Sequence, residues 1–310
     1  MSQLKVFVFP GQGSQQMGML AALAVENPII EQTFAQASAV LGYDLWALVQ
    51  KGPAEDLNQT ERTQPALLCA SVALWRLWNY RGEEAPAVMA GHSLGEYSAL
   101  VCAGALVFTD AIELVRLRGE YMQQAVPAGV GAMSAVLGLS DALVEEACKE
   151  AQSEGVVAAA NYNCPGQVVI AGEKHAVARA MLLCKDKGAK RAIELPVSVP
   201  SHCDLMRPAA EKLANSLQAI EIKMPQLKVI QNVSAKTPES VAQIKANLIA
   251  QLYSPVLWTA SMQAIVAEGV VESIECGPGK VLSGLNKKIH KALVLNTLAD
   301  VAGWEKATSK

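Results

Sequence analysis

Gly91-His92-Ser93-Leu94-Gly95 follows the apolar run 87–90 and opens the long segment 96–105, so a strand, a sharp turn and a helix are expected in succession. A serine in that arrangement stands exposed on a strained turn at a helix N-terminus, the nucleophile elbow. Gly91 lets neighbouring backbone approach the turn, and Gly95 lets the helix begin without a Cβ clash. Such a serine does acyl chemistry through a covalent ester. The pentapeptide by itself also fits an ordinary glycine-rich turn, so the reading depends on what surrounds it.

Working outward, apolar strands alternate with longer helical patterns, beginning with Lys5 to Phe9 and the turn Pro10-Gly11-Gln12-Gly13. This alternation predicts an α/β fold with a mainly parallel sheet and helices on both faces. Helices are expected over 63–80 and 109–124, and further strands of the same sheet over 228–233, 270–276 and 293–298. The middle of the chain reads differently: strand 132–139, helix 141–153, strands 156–161 and 167–171, helix 174–186, strand 190–195. That order is β-α-β-β-α-β, the ferredoxin-like pattern, bounded by Pro127-Ala128-Gly129 and Pro196. The expected organisation is a discontinuous large domain of residues 1–127 and 198–310, interrupted by a small inserted domain of residues 128–197. The tail from Gly303 is expected to be loosely held, Trp304 excepted.

Composition removes several classes of function. With 310 residues, 51% of them hydrophobic, the chain can bury a large core and a smaller satellite. A net charge of −3 leaves no basic excess for nucleic acid. The apolar stretches are too short for a membrane span and the N-terminus has no signal pattern, which predicts a cytoplasmic protein. The seven cysteines are scattered without a C-x-x-C pair, as expected of reduced buried thiols rather than disulfides or a metal site. Cys203 adjoins a histidine of interest and is read as a bystander.

A serine nucleophile needs a base, and the chain offers His92, His175, His202 and His290. His202 ends the run 196–202, on a loop where the chain re-enters the large domain. His92 neighbours the serine, and adjacent side chains on an extended elbow diverge. His175 and His290 are expected on helices among charged residues. The acid that α/β-hydrolases place between serine and histidine has no good candidate: Asp141 and Asp186 fall in the insertion and Asp110 opens a helix. A carbonyl or amide can orient a histidine instead, giving a serine–histidine dyad.

Five segments then stand together: Pro10-Gly11-Gln12-Gly13-Ser14-Gln15, Gly91-His92-Ser93-Leu94-Gly95-Glu96-Tyr97, Arg116-Leu117-Arg118-Gly119, Val199-Pro200-Ser201-His202 and Glu275-Cys276-Gly277-Pro278-Gly279-Lys280. In this order and spacing they resemble the malonyl-CoA:acyl carrier protein transacylases of bacterial fatty-acid synthesis, over residue 4 to about residue 298. The resemblance implies an α/β-hydrolase-like large domain with a ferredoxin-like insertion and no organic cofactor or metal. It implies malonyl-CoA and holo acyl carrier protein as partners, and a monomer.

Carried onto this sequence, the resemblance makes Ser93 the nucleophile, His202 the base, and the Gln251 carbonyl the group orienting His202. The backbone N–H groups of Gln12 and Leu94 would form the oxyanion hole. Arg118 would hold the distal malonyl carboxylate through two parallel N–H bonds, which a lysine cannot reproduce. On helical spacing alone Arg118 is equally a solvated arginine beside Arg116 and Glu120. Gln64, His92 and Asn163 are implied as substrate-lining residues, with structural hydrogen bonding as the alternative. Gly277-Pro278-Gly279 reads as a tight strand–helix connection. Lys280, Lys287, Lys288 and Lys291, with Lys187, Lys190 and Arg191, suit either a carrier and the phosphates of coenzyme A or a solvated face. A thioesterase sharing the elbow and a silent binding module are the competing classes. Because the chain ends with the domain, a stand-alone enzyme is expected, in fatty-acid or polyketide synthesis.

Overall fold

The computed structural model describes residues 4–127, 129–197 and 199–309. The boundary positions Ala128 and Ser198 therefore lie outside the described residues. The strands are β1 (Lys5–Phe9), β2 (Val88–Gly91), β3 (Gly131–Leu137), β4 (Val157–Cys164), β5 (Gln167–Glu173), β6 (Arg191–Glu194), β7 (Lys228–Ile230), β8 (Glu272–Glu275) and β9 (Val294–Thr297).

Five of them form a parallel sheet in the order β7-β2-β1-β8-β9. Val6, Phe7, Val8 and Phe9 are all fully buried, because helices cover both faces of the central strand and no side of it meets water. Phe7 packs edge-on against Trp75 and Trp78 of the helix Thr60–Tyr80. These aromatics belong to the core. The carboxyl ends of β1 and β2 carry the Pro10 turn and the elbow side by side, the place where open α/β sheets take ligands. A second close approach matters for the site. A Cβ on Gly119 would come within 2.5 Å of the Glu61 Cα, so glycine there lets the helix Phe108–Ala125 lie tightly on Thr60–Tyr80.

The remaining four strands form an antiparallel sheet ordered β4-β5-β3-β6. Helices Asp141–Ala151 and Lys174–Asp186 cover one face around Val144, Ala147, Val177 and Ala180. The other face, with Met133, Ala160 and Val169, packs near Cys203. Backbone bonds tie this sheet to the first body: the Tyr162 N–H donates to the Val256 carbonyl at 2.9 Å, and the Val256 N–H to the Ala160 carbonyl at 2.9 Å.

Several expectations shift. The first long helix begins at Thr60 rather than Thr63, and the strand expected to Val233 stops at Ile230 because Gln231 and Asn232 turn inward to make buried polar contacts. The helix after the Gly277 turn covers Val281–Ile289, leaving His290 just beyond its end. The tail is a helix, Val301–Thr308, since Asp300 caps it through the Gly303 N–H and Trp304 is 2% exposed beside Trp78.

Candidate active site

Ser93 occupies the elbow with φ +52, a left-handed conformation that a side chain adopts only where its surroundings enforce it. The flanking glycines are enforced sterically. A Cβ on Gly91 would fall 1.8 Å from the Gly95 carbonyl carbon, and one on Gly95 would fall 1.9 Å from the Phe9 carbonyl oxygen. The elbow is therefore pressed against the end of β1.

His202 reaches Ser93 from the loop that follows the antiparallel sheet. Its Nε2 lies 2.9 Å from Ser93 Oγ and its Nδ1 2.6 Å from the Gln251 carbonyl oxygen. The carbonyl accepts only, so Nδ1 carries the proton and Nε2 is left to accept from the serine hydroxyl. The backbone holds the ring in place, with the His202 N–H donating to the Leu252 carbonyl at 3.0 Å. Burial, then the positive charge of Arg118, push His202 down to about 3, against the opposing Gln251 carbonyl. An imidazole with that value is neutral at every physiological pH. We expect kcat/KM to show no inflection near the ordinary histidine value of about 6.5, which a pH series from 5 to 8 checks; a drop centred near 6.5 would contradict it. The same depression works on stability: the folded site refuses a proton that the unfolded chain accepts below about 6.5. This contribution is present above that pH and is lost as pH falls toward 3.

Arg118 is 1% exposed. Its Nη1 donates to Gln64 Oε1 at 2.7 Å, and its Nη2 to Gln251 Oε1 at 3.0 Å and to Ser93 Oγ at 3.2 Å. The guanidinium lies 5.4 Å from the Tyr97 ring centre, and its Nε has no hydrogen-bond partner. Two residues along the same helix, Arg116 turns outward to Glu113 at 2.6 Å and Glu120 at 2.7 Å. Residues two apart on a helix face opposite ways, so Arg116 is the solvated arginine and Arg118 the buried one.

A cavity of about 200 Å³ opens between the two sheets, lined among others by Gln12, His92, Ser93, Leu94, Arg118, Asn163 and His202. Gln64 sits behind it, nearly fully buried, its Nε2 3.6 Å from Met122 Sδ. His92 has its Nε2 2.8 Å from Asn163 Oδ1 and its ring against Trp258. Cys203 is buried, donates its thiol to the Pro200 carbonyl, and is pushed up to about 12 by that burial. Of the lysines considered, Lys187 is held between Glu146 and Glu150, at 2.7 Å from each, while Lys280, Lys287 and Lys291 are exposed. Among the described residues no cluster suited to a metal ion occurs, and no helix is long and apolar enough to cross a membrane.

Sequence reasoning missed a layer beneath the site. Glu96 is fully buried and accepts from Gln231 Nε2 at 2.9 Å, the Asn232 N–H at 2.8 Å and Gln251 Nε2 at 3.0 Å. Burial raises Glu96 above its usual range, and these donors with Arg118 pull it back. The Gln251 side chain links Glu96 to Arg118, while its backbone carbonyl serves His202. Glu96 carried one available signal, an unexplained acid beside the elbow.

The model of the acyl transferase domain matches residues 6–305. The malonyl CoA-acyl carrier protein transacylase of Salmonella typhimurium is 57% identical over 304 residues, 98% of either chain. Its namesake from Escherichia coli K12 is 59% identical over 94% of either chain. The crystal structure of an acyl carrier protein S-malonyltransferase from Vibrio cholerae superposes with a TM-score of 0.97 at 59% identity, covering 98% of this chain and 99% of that one. A malonyl-transacylase solved in complex with its holo type II PKS acyl carrier protein gives a TM-score of 0.97 at 56% identity over 98% of either chain.

Proposed function

The chain belongs to the malonyl CoA-acyl carrier protein transacylases of the acyl transferase family, and from that premise we propose that it moves a malonyl group from coenzyme A to the phosphopantetheine thiol of an acyl carrier protein through an ester on Ser93. The observation that carries this reading is one buried arginine donating to the nucleophile of a serine–histidine dyad.

In the first half-reaction Ser93 Oγ attacks the thioester carbonyl while His202 Nε2 takes the hydroxyl proton. The new C–O bond leaves a tetrahedral oxyanion, which the backbone N–H groups of Gln12 and Leu94 stabilise; losing one such donor typically costs on the order of 10²–10³ in rate. The C–S bond then breaks, and His202 returns the proton to the departing coenzyme A thiolate. In the second half His202 deprotonates the carrier thiol, which attacks the ester carbonyl and releases Ser93 with its proton restored. Throughout, Arg118 holds the distal carboxylate, and Gln64 and Gln251 hold Arg118. The chain supplies every group in this scheme, so it needs no metal or organic cofactor. His92 and Asn163 line the mouth of the cavity in this reading.

We place the protein in the cytoplasm as a monomer serving fatty-acid or polyketide synthesis, with residues 128–197 as a domain inserted into 1–127 and 198–310. Initial rates test the two-step scheme. Varying malonyl-CoA at several carrier concentrations is expected to give parallel double-reciprocal lines; lines that intersect would mean direct transfer without an acyl-enzyme.

A further inference from the structure

Asn232 is 1% exposed, just past the end of β7, 139 residues along the chain from Ser93. Its Oδ1 accepts the Ser93 N–H at 2.7 Å and its Nδ2 donates to the Gly91 carbonyl at 2.6 Å. One planar amide thus spans the elbow, from the last residue of β2 to the serine at its apex. The Asn232 N–H donates in turn to Glu96 Oε2 at 2.8 Å, in the first turn of the helix that leaves the elbow. Gln251 Nε2 closes the circuit, with the Ser93 carbonyl at 3.1 Å and Glu96 Oε2 at 3.0 Å.

Two consequences follow for the chemistry. The left-handed conformation of Ser93 needs an external restraint, and the Asn232 amide and Gln251 Nε2 hold both sides of that residue's backbone. The Ser93 N–H is also occupied by Asn232, so it is withheld from the developing oxyanion and the donor role falls to the next N–H in the turn, that of Leu94. Asparagine fits this position because the elbow requires a donor and an acceptor on one short side chain. Aspartate, when ionised, has no donor to offer the Gly91 carbonyl.

We propose that Asn232 is a positioning residue of the transfer reaction, a brace that fixes the elbow so that Ser93 Oγ meets His202 and the Leu94 N–H faces the oxyanion. This rests on the reading of Ser93 as the acylated nucleophile. Asn232 acts on the nucleophile rather than on the malonyl carboxylate, so its loss slows acylation by malonyl and acetyl donors alike, unlike the loss of Arg118.

The test is rapid-quench intact-mass measurement of Ser93 acylation by malonyl-CoA and acetyl-CoA in wild type, Asn232→Ala and Asn232→Asp, each first shown to be folded. Asn232→Ala is expected to slow acylation by both donors by a common factor on the order of 10², with little change in KM. Asn232→Asp is expected to be as slow at pH 8 and to recover as pH falls toward 5.5. The neutral acid restores a donor to the Gly91 carbonyl, and a carboxyl buried beside Glu96 protonates above its ordinary range. Acid-side recovery is not expected of a residue that merely fills space. Wild-type rates in Asn232→Ala, or a flat pH profile in Asn232→Asp, would overturn the proposal. Should Asn232→Ala not fold, the Asn232→Asp pH series decides alone. Absence of any adduct in wild type would instead overturn the role of Ser93 itself, so the two failures are told apart.

Discussion

Ser93→Ala is expected to leave the chain at its unmodified mass after incubation with malonyl-CoA and to lower malonyl transfer by roughly 10⁴-fold or more. The thiol beside His202 is not poised to take over. Cys203, next to His202 in sequence, keeps its thiol on the Pro200 carbonyl, and burial drives its pKa up to about 12, so almost no thiolate exists at neutral pH. The substitution removes one hydroxyl from a residue whose backbone is held by Asn232 and Gln251, and the fold should tolerate it. The comparison is made by stopped transfer assays on matched, folded samples. A persistent adduct in Ser93→Ala would place the nucleophile elsewhere.

The second large effect is one of selectivity. Arg118→Ala is expected to lower the preference for malonyl over acetyl donors by roughly 10- to 150-fold, the range of about 1.5–3 kcal/mol for hydrogen bonds to a charged group. The loss falls on malonyl transfer, because only malonyl brings a carboxylate to the guanidinium. Acetyl transfer changes less. It also loses an unfavourable feature, since an acetyl group leaves Arg118 buried without an anionic ligand, its Nε without a hydrogen-bond partner. Arg118→Lys does not restore the preference: a single ammonium cannot keep Gln64 and Gln251 and still present paired donors to a carboxylate. Measured kcat/KM for the two donors gives the answer directly. An unchanged ratio in Arg118→Ala would remove the carboxylate clamp from the account.

Much of this was legible in the sequence because it is local. The elbow is written in consecutive residues, and its glycines are needed where a Cβ would strike backbone. The β-α-β-β-α-β order of the middle segment is a periodicity signal that does not depend on distant contacts. The two arginines show where locality ends. On helical spacing alone Arg118 is equally a solvated arginine beside Arg116 and Glu120; the resemblance favours a buried Arg118, and the packing of Gly119 against Glu61 puts that side of the helix inside. The layer of Glu96, Gln231, Asn232 and the Gln251 side chain was hidden for a related reason. Glu96, the pair Gln231 and Asn232, and Gln251 are far apart in the chain, and the strand expected over 228–233 takes in Gln231 and Asn232 as ordinary strand residues. Burial among matched donors and acceptors, a property of the folded state, is what gives them roles. The tail differs for a similar reason: its polar composition suggests a loose end, whereas an Asp300 cap and one buried tryptophan suffice for a helix.

The most direct measurement is intact-protein mass spectrometry after brief mixing with malonyl-CoA, followed by addition of a holo acyl carrier protein. A single malonyl adduct on Ser93 is expected, disappearing as the same mass increment appears on the carrier. No adduct on Ser93, or an adduct lost to water at the same rate whether or not the carrier is added, would contradict it.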